Sequence, residues 1–167
     1  MKAMAIARFG GPEELRLVDF PDPQPAAGEA LVHIEYAGVN FIDTYMRSGE
    51  YAKSHTYQTP LPMTVGMEGA GRVLALGAGV TDLEVGDRVA YCLVRGSYAP
   101  LAVVPADRLV KIPAEVSTRI AAALMLQGLT AHYLSHSAFA LGADSTCLIH
   151  AGAGGVGQLL IQLAKVR

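Results

Sequence analysis

The sequence predicts a mixed β and α/β fold, in which a β-rich domain is followed by the beginning of an α/β domain. Short segments of alternating apolar and polar residues fill the first 113 residues, and glycine and proline turns separate them. From Ser117, which is predicted to be a helix N-cap, the composition shifts to alanine- and leucine-rich segments that are typical of helices. The change of architecture lies near Ser117 to Gly128, so we expect domains at residues 1–120 and 121–167.

The β-rich part is predicted to begin with a hairpin formed by Met1–Phe9 and Leu15–Phe20. Further strands are expected around Glu29–Val39, Gly66–Val73, Val85–Tyr91, Tyr98–Pro105 and Leu109–Ile112. A helix is predicted to follow the first of these, with Asn40 as its N-cap and Gly49 as its stop. The proline-bounded stretch Tyr51–Pro62 is predicted to be a surface loop that borders a cleft or simply connects elements.

The end of the chain combines an apolar, β-prone segment, a glycine turn and a predicted helix, at Thr146–His150, Ala151–Gly157 and Gln158–Lys165. The turn carries G-x-G-x-x-G on Gly152, Gly154 and Gly157. In a dinucleotide site the first glycine permits the tight turn, the second admits the pyrophosphate, and the third lets the helix lie close to the strand. Strand, turn and helix in this order favour dinucleotide binding over the alternative, a flexible connection.

The composition is that of a globular protein, with 51% hydrophobic and 17% charged residues. A net charge of -2 without runs of lysine or arginine excludes nucleic acid and anionic membrane surfaces as expected partners. No apolar run approaches the roughly 20 residues that span a bilayer. Cys92 and Cys147 lack C-x-x-C spacing, and no signal peptide is evident. We therefore expect a soluble, cytoplasmic protein.

An ordered set of motifs covers almost the whole chain. It comprises Ala37–Tyr45, Arg47–Tyr51, Gly66–Gly71, Gly86–Val89, Gln127–Tyr133 and the glycine turn. Together these segments resemble the N-terminal portion of the quinone oxidoreductase (zeta-crystallin-like) branch of the medium-chain dehydrogenase/reductase superfamily. The resemblance implies a GroES-like β-rich domain followed by the first strand and helix of a truncated Rossmann domain.

The same resemblance implies a zinc-independent, NADPH-dependent oxidoreductase that reduces quinones or related α,β-unsaturated carbonyls. This chain would be an N-terminal fragment of that enzyme, inactive alone, and the full-length protein would be a homodimer with NADPH as cofactor and a small-molecule quinone or enone as substrate. Two alternatives remain open: an enoyl reductase acting on acyl thioesters, and a non-catalytic structural or binding fragment.

The resemblance also implies site residues. Asn40 and Tyr45 would be catalytic, offering an amide and a phenol beside the nicotinamide and the substrate. The implied cofactor contacts are Phe41, Ile42, Asp43, Thr44, Tyr45, Thr130, Tyr133, Gly152, Gly154, Gly155, Val156 and Gly157. Three of these residues have a structural alternative: Asn40 as a helix cap, Tyr45 as a half-buried aromatic, and Thr130 bonding its own backbone.

Zinc-dependent members of the superfamily place a cysteine where this chain has Asn40, a histidine at Met67 and a further cysteine near Gln127. None of the three residues present is a usual zinc donor, so we predict no metal. Asp43 and Glu68 are interpreted as structural carboxylates, bonding backbone N–H groups or pairing with an arginine, rather than as proton donors.

Overall fold

A computed structural model of the chain describes residues 1–57 and 59–167, which form two compact units, Met1–Ala122 and Ala123–Arg167. The strands of the described residues are β1 (Lys2–Ile6), β2 (Arg16–Asp19), β3 (Glu29–Ala37), β4 (Met63–Thr64), β5 (Glu68–Leu76), β6 (Arg88–Cys92), β7 (Leu101–Pro105) and β8 (Val110–Lys111). The α-helices are α1 (Phe41–Ser48), α2 (Thr118–His132) and α3 (Gly155–Val166). Within the described residues, none of these helices has the length and apolarity that crossing a bilayer requires.

The first unit contains two antiparallel sheets, with strand orders β2-β1-β4 and β7-β3-β5-β6-β8. The predicted hairpin is confirmed, since β1 pairs with β2 from Lys2 opposite Asp19 to Ala5 opposite Arg16. The two-residue strand β4 was not predicted, because two residues are too few to show an alternating pattern. The predicted loop before it includes Gln58, which lies outside the described residues.

Two clusters of buried side chains form the core of the first unit. The larger lies on the five-stranded sheet and includes Val32, Val73 and the fully buried Tyr91. The smaller consists of Ile6, Met46, Met63, Val65 and Met67, and it holds α1 in place through Met46. Burial of apolar surface is the main force that fixes a helix on its support, so this cluster sets the position of α1.

The pairing of β3 with β5 brings two distant parts of the chain together. Ala37, at the end of β3, lies opposite Gly69, and the N–H of Gly38 donates to the carbonyl oxygen of Glu68 at 3.0 Å. The chain then turns directly into α1 at its N-cap, Asn40. Strand pairing therefore places Glu68 beside the beginning of α1.

The second unit contains the rest of α2, a π-helical segment at Tyr133–Ala138, and α3. The hydroxyl of Ser117 accepts the Ile120 N–H at 3.3 Å, so the predicted cap of α2 is confirmed. The strand predicted at Thr146–His150 is wrong for this structure, which assigns no strand there. A strand exists only when another segment hydrogen-bonds to it, and no described segment does so here. The boundary between domains at 120/121 stays a prediction.

Candidate functional site

Helix α1 is defined by hydrogen bonds at both ends. At its start, the Asp43 carboxylate accepts the backbone N–H of Asn40 at 2.9 Å, as in a capping box. At its end, Gly49 adopts a left-handed φ of 87° and donates its N–H to the carbonyl oxygen of Tyr45. The predicted helix and both of its caps are therefore confirmed.

The side-chain amide of Asn40 is anchored on a buried carboxylate. Its Nδ2 donates to Oε2 of Glu68 at 2.6 Å, and Glu68 is only 2% exposed. A hydrogen bond to a charged acceptor is stronger than a neutral one, so Glu68 fixes the orientation of the amide. Glu68 thus bonds a side-chain amide, a partner that the sequence did not lead us to expect.

Gly38 makes room for this carboxylate. A Cβ at position 38 would lie 2.6 Å from Cδ of Glu68, a separation that real Cβ atoms do not show. The carboxylate therefore occupies the space that a side chain at position 38 would fill.

Asp43 also accepts a hydrogen bond from Tyr98, whose hydroxyl lies 2.9 Å from Oδ2. Burial raises the pKa of the Asp43 carboxyl above its ordinary value of 3.8, and the hydrogen bonds from Asn40 and Tyr98 lower it by less. Burial, followed by the charge of Asp43, raises the pKa of Tyr98. No sequence pattern pointed to Tyr98, which is 55 positions from Asp43.

An aromatic row, made of Phe41, Tyr45, Tyr51 and Tyr57, continues from α1 into the following loop. The centroid of the Tyr45 ring lies 6.1 Å from that of Phe41 and 5.7 Å, edge-on, from that of Tyr51. Tyr51 stacks on Tyr57 at 5.0 Å. Within the described residues the Tyr45 hydroxyl makes no hydrogen bond, so the row combines aromatic rings with a phenol available to a ligand.

A cavity of about 210 Å³ adjoins α1, and Asn40, Asp43, Arg47 and Tyr98 are among its lining residues. Pockets for drug-sized ligands usually measure about 300–1,000 Å³. This cavity alone is therefore too small to hold such a molecule.

In the second unit, the glycine turn leads into α3. The N–H of Gly154 donates to the carbonyl oxygen of Ala151 at 2.8 Å, and the first helical bond beyond the cap joins the Gln158 N–H to the Gly154 carbonyl at 2.9 Å. The amides of Gly155, Val156 and Gly157 therefore lie in the first turn, where N–H groups have no helical partner and attract anions.

Close packing explains the third glycine of the motif. A Cβ on Gly157 would lie 2.8 Å from Cα of Gly152 and would also collide with the carbonyl oxygen of Ala151. The left-handed residue of the turn is Ala151, with a φ of 51°, rather than Gly152. At Gly155 the space of a Cβ is filled by the side chain of Gln127.

Two further predicted cofactor residues lie on or next to α2. The Thr130 hydroxyl donates to the carbonyl oxygen of Leu126 at 2.7 Å, which is the structural alternative for this residue. Tyr133 begins the π-helical segment and is 59% exposed. The structure therefore groups Asn40 with Phe41–Tyr45 on α1, whereas Thr130 bonds its own helix.

Met67 lies in the smaller core cluster and is 3% exposed. In the part of the chain that the structure describes, no three histidine, cysteine, aspartate or glutamate residues come together as a metal-binding group. The metal-free site stays a prediction.

Residues 26–114 match the family described as alcohol dehydrogenase GroES-like domain. The chain belongs to this family. The GroES-like chain is 43% identical to a quinone oxidoreductase of Pseudomonas aeruginosa over 165 residues, which are 98% of this chain and 49% of the relative. It is 36% identical to a 2-haloacrylate reductase of a Burkholderia species, covering 98% of this chain and 49% of that protein.

Solved structures agree with these relatives. The quinone oxidoreductase of Escherichia coli complexed with NADPH superposes with a TM-score of 0.92 at 39% identity, covering 99% of this chain and 50% of that one. The CurK enoyl reductase gives a TM-score of 0.86 at 31% identity, with coverage of 99% and 51%. The predicted membership of the quinone oxidoreductase branch is confirmed, and the GroES-like chain spans about half the length of the relatives it matches.

Proposed function

We propose that the whole protein is a zinc-independent, NADPH-dependent oxidoreductase that reduces quinones or related α,β-unsaturated carbonyls. The GroES-like chain supplies the side chains around the acceptor and the turn that binds the cofactor's phosphates. The observation that carries this proposal is the Asn40 amide, held by the buried Glu68 at the start of the helix that carries Tyr45. Relatives named quinone oxidoreductase and 2-haloacrylate reductase support both kinds of acceptor.

The glycine turn fits a dinucleotide. The amides of Gly155–Gly157 open α3 at its positive end, where a pyrophosphate is stabilised. Gly157 allows the helix to approach the turn closely enough for these amides to converge. The NADPH complex of the Escherichia coli relative supports the choice of cofactor.

The chain's own side chains position the acceptor. When bound, the nicotinamide supplies a hydride to the acceptor. The Tyr45 phenol donates a hydrogen bond to the acceptor oxygen as negative charge develops there. Asn40 keeps its amide in one orientation because Glu68 holds it. A quinone takes up an electron pair readily, so positioning matters more than strong polarisation by a metal ion.

Substitution of the two catalytic candidates tests this proposal on the whole protein. We expect Tyr45→Phe and Asn40→Ala each to lower kcat/KM for a quinone by a factor on the order of 100, as loss of a preorganised donor does elsewhere. NADPH oxidation is followed by absorbance. Tyr36→Phe is the matched control, because Tyr36 is an exposed phenol on β3. Unchanged turnover in both site variants, or activity that appears only after zinc is added, contradicts the proposal.

An enoyl reductase acting on acyl thioesters is the second candidate, favoured by the likeness to the CurK enoyl reductase. Parallel assays of the whole protein with a quinone and with an enoyl thioester decide between the two by their kcat/KM values. The homodimer expected for the whole protein stays a prediction.

A further inference from the structure

Arg95 lies in the loop between β6 and β7, and its guanidinium is partly buried without an acidic partner. Its hydrogen bonding within the described residues consists of Nη1 to the Met63 sulfur at 3.6 Å. A thioether is a weak acceptor, so this contact does little to replace the water that burial removes. Burial lowers the pKa of Arg95.

Two other arginines of the first unit, Arg72 and Arg88, have stronger partners. Arg72 lies 3.0 Å from the Glu35 carboxylate, and Arg88 donates to the carbonyl oxygens of Pro113 at 2.7 Å and Val116 at 2.9 Å. A partly desolvated cation is unfavourable unless a charge or hydrogen-bond acceptor compensates it. Arg95 therefore has unused capacity for an anion.

Arg95 also lines two cavities, of about 320 and 380 Å³. Both volumes lie in the range of about 300–1,000 Å³ that small-molecule pockets occupy. The walls of the larger, which we term the Arg95 cavity, include Met46, Tyr57 and Met67. Its acidic lining residue, Glu29, accepts the N–H of Ala26 at 2.9 Å. The Arg95 cavity thus combines apolar and aromatic walls with an arginine that forms no ion pair among the described residues.

The aromatic row connects this cavity to α1. Tyr57, at the far end of the row, lines the Arg95 cavity, and Tyr51 joins it to Tyr45 through ring contacts of 5.0 and 5.7 Å. Met67 lines the cavity as well and directly precedes Glu68. The Arg95 cavity therefore lies at the Tyr57 end of the aromatic row, and ring contacts through Tyr51 connect its wall to Tyr45.

We propose that the Arg95 cavity binds a carboxylate group of the acceptor, so that the preferred acceptors are conjugated carbonyl compounds that carry a carboxylate. The planar guanidinium matches a carboxylate with two parallel hydrogen bonds. The statement that this carboxylate belongs to the acceptor rests on the proposed function, whereas binding of a carboxylate by Arg95 does not. The aromatic row supplies the contact for the conjugated part of the molecule.

Binding of 2-naphthoate and its uncharged methyl ester to the 167-residue chain, measured by isothermal titration calorimetry, tests the site without turnover. We expect the chain to bind the carboxylate at least about tenfold more tightly than the ester, as a charge-assisted hydrogen bond provides. Arg95→Gln should remove this preference, and Arg95→Lys should keep part of it because the charge remains. Arg72→Gln, which removes an exposed arginine on β5, should leave the preference unchanged.

Equal affinity of the unmodified chain for 2-naphthoate and its methyl ester overturns the proposal. An equal loss of the preference for the carboxylate in Arg72→Gln and Arg95→Gln also overturns it. Circular dichroism checks that each variant is folded. If Arg95→Gln does not fold, the comparison of acid with ester in the unmodified chain and in Arg95→Lys still decides.

Failure of this inference is distinguishable from failure of the proposed function. If the whole protein oxidises no NADPH with any acceptor but binds a carboxylate through Arg95, the proposed reductase function is wrong and the carboxylate site remains. NADPH oxidation with equal kcat/KM for a quinone carboxylate and its methyl ester overturns the acceptor assignment and retains the reductase.

Discussion

At the scale of single residues, Asp43 makes stability depend on pH. Its folded pKa lies above 3.8 because the carboxyl is buried. Between 3.8 and that raised value the folded chain binds more protons than the unfolded chain, so the contribution of Asp43 to stability falls as pH rises. The Asp43→Asn variant lacks this titration. We therefore expect the free energy of unfolding of the parent, minus that of the variant, to be smaller at pH 7 than at pH 4.

Urea denaturation at the two pH values measures this difference. Asp22→Asn is a suitable control, because the Asp22 side chain is 63% exposed and its ion-pair partner is the N-terminal amino group rather than a residue of α1. A difference for Asp43 that is constant or larger at pH 7 would mean that its hydrogen bonds outweigh its burial.

The contact between Gly38 and Glu68 gives a second prediction for single residues. Gly38→Ala places a methyl group against the Glu68 carboxylate and should lower the free energy of unfolding by about 1–3 kcal/mol, the usual effect of overpacking. The same substitution should weaken the hydrogen bond between the Asn40 amide and Glu68, because the Glu68 carboxylate must shift. Thermal denaturation measures the loss of stability, and an unchanged midpoint would contradict the close contact between Gly38 and Glu68.

At the scale of elements, two glycines of the second unit should respond oppositely to alanine. Gly128→Ala on α2 should stabilise the chain by roughly 0.5–1 kcal/mol, because alanine favours helix and the added Cβ lies 3.6 Å from its nearest neighbour, an ordinary contact. Gly157→Ala should destabilise it by about 1–3 kcal/mol, since the Cβ meets the backbone of the turn. Urea denaturation of both variants measures the changes, and effects of the same sign would contradict this account of the turn.

At the scale of the whole molecule, the two units should differ in hydrogen exchange. The amides of Val32, Val73 and Val89 lie in the paired, buried centre of the five-stranded sheet. Thr146–His150 has no strand partner within the described residues, and Leu148 is 84% exposed. Amides without stable hydrogen bonds exchange quickly, so we expect the slowest exchange in the sheet and rapid exchange at Thr146–His150. Mass spectrometry resolves both segments, and equal protection of the two would contradict the assignment.

Local interactions determined which parts of the fold the sequence predicts well. Helix α1 was predicted with both ends because Asn40, Asp43 and Gly49 act within a few residues of one another. The prediction of a strand at Thr146–His150 was wrong because a β-strand requires a hydrogen-bonding partner as well as β-prone residues. The same limit applies to the site: Asn40 was predicted from a motif, whereas Tyr98 and Arg95 acquire their surroundings only when distant segments pack together.

The fit between Gly38 and Glu68 also constrains how the two positions can diverge during evolution. A β-carbon at position 38 becomes tolerable only after the acid at position 68 has been shortened, and shortening it first leaves the Asn40 amide without its anchor. Each single step is therefore disfavoured, although a paired replacement restores the fit. In related proteins, substitutions at positions 38 and 68 should therefore be correlated.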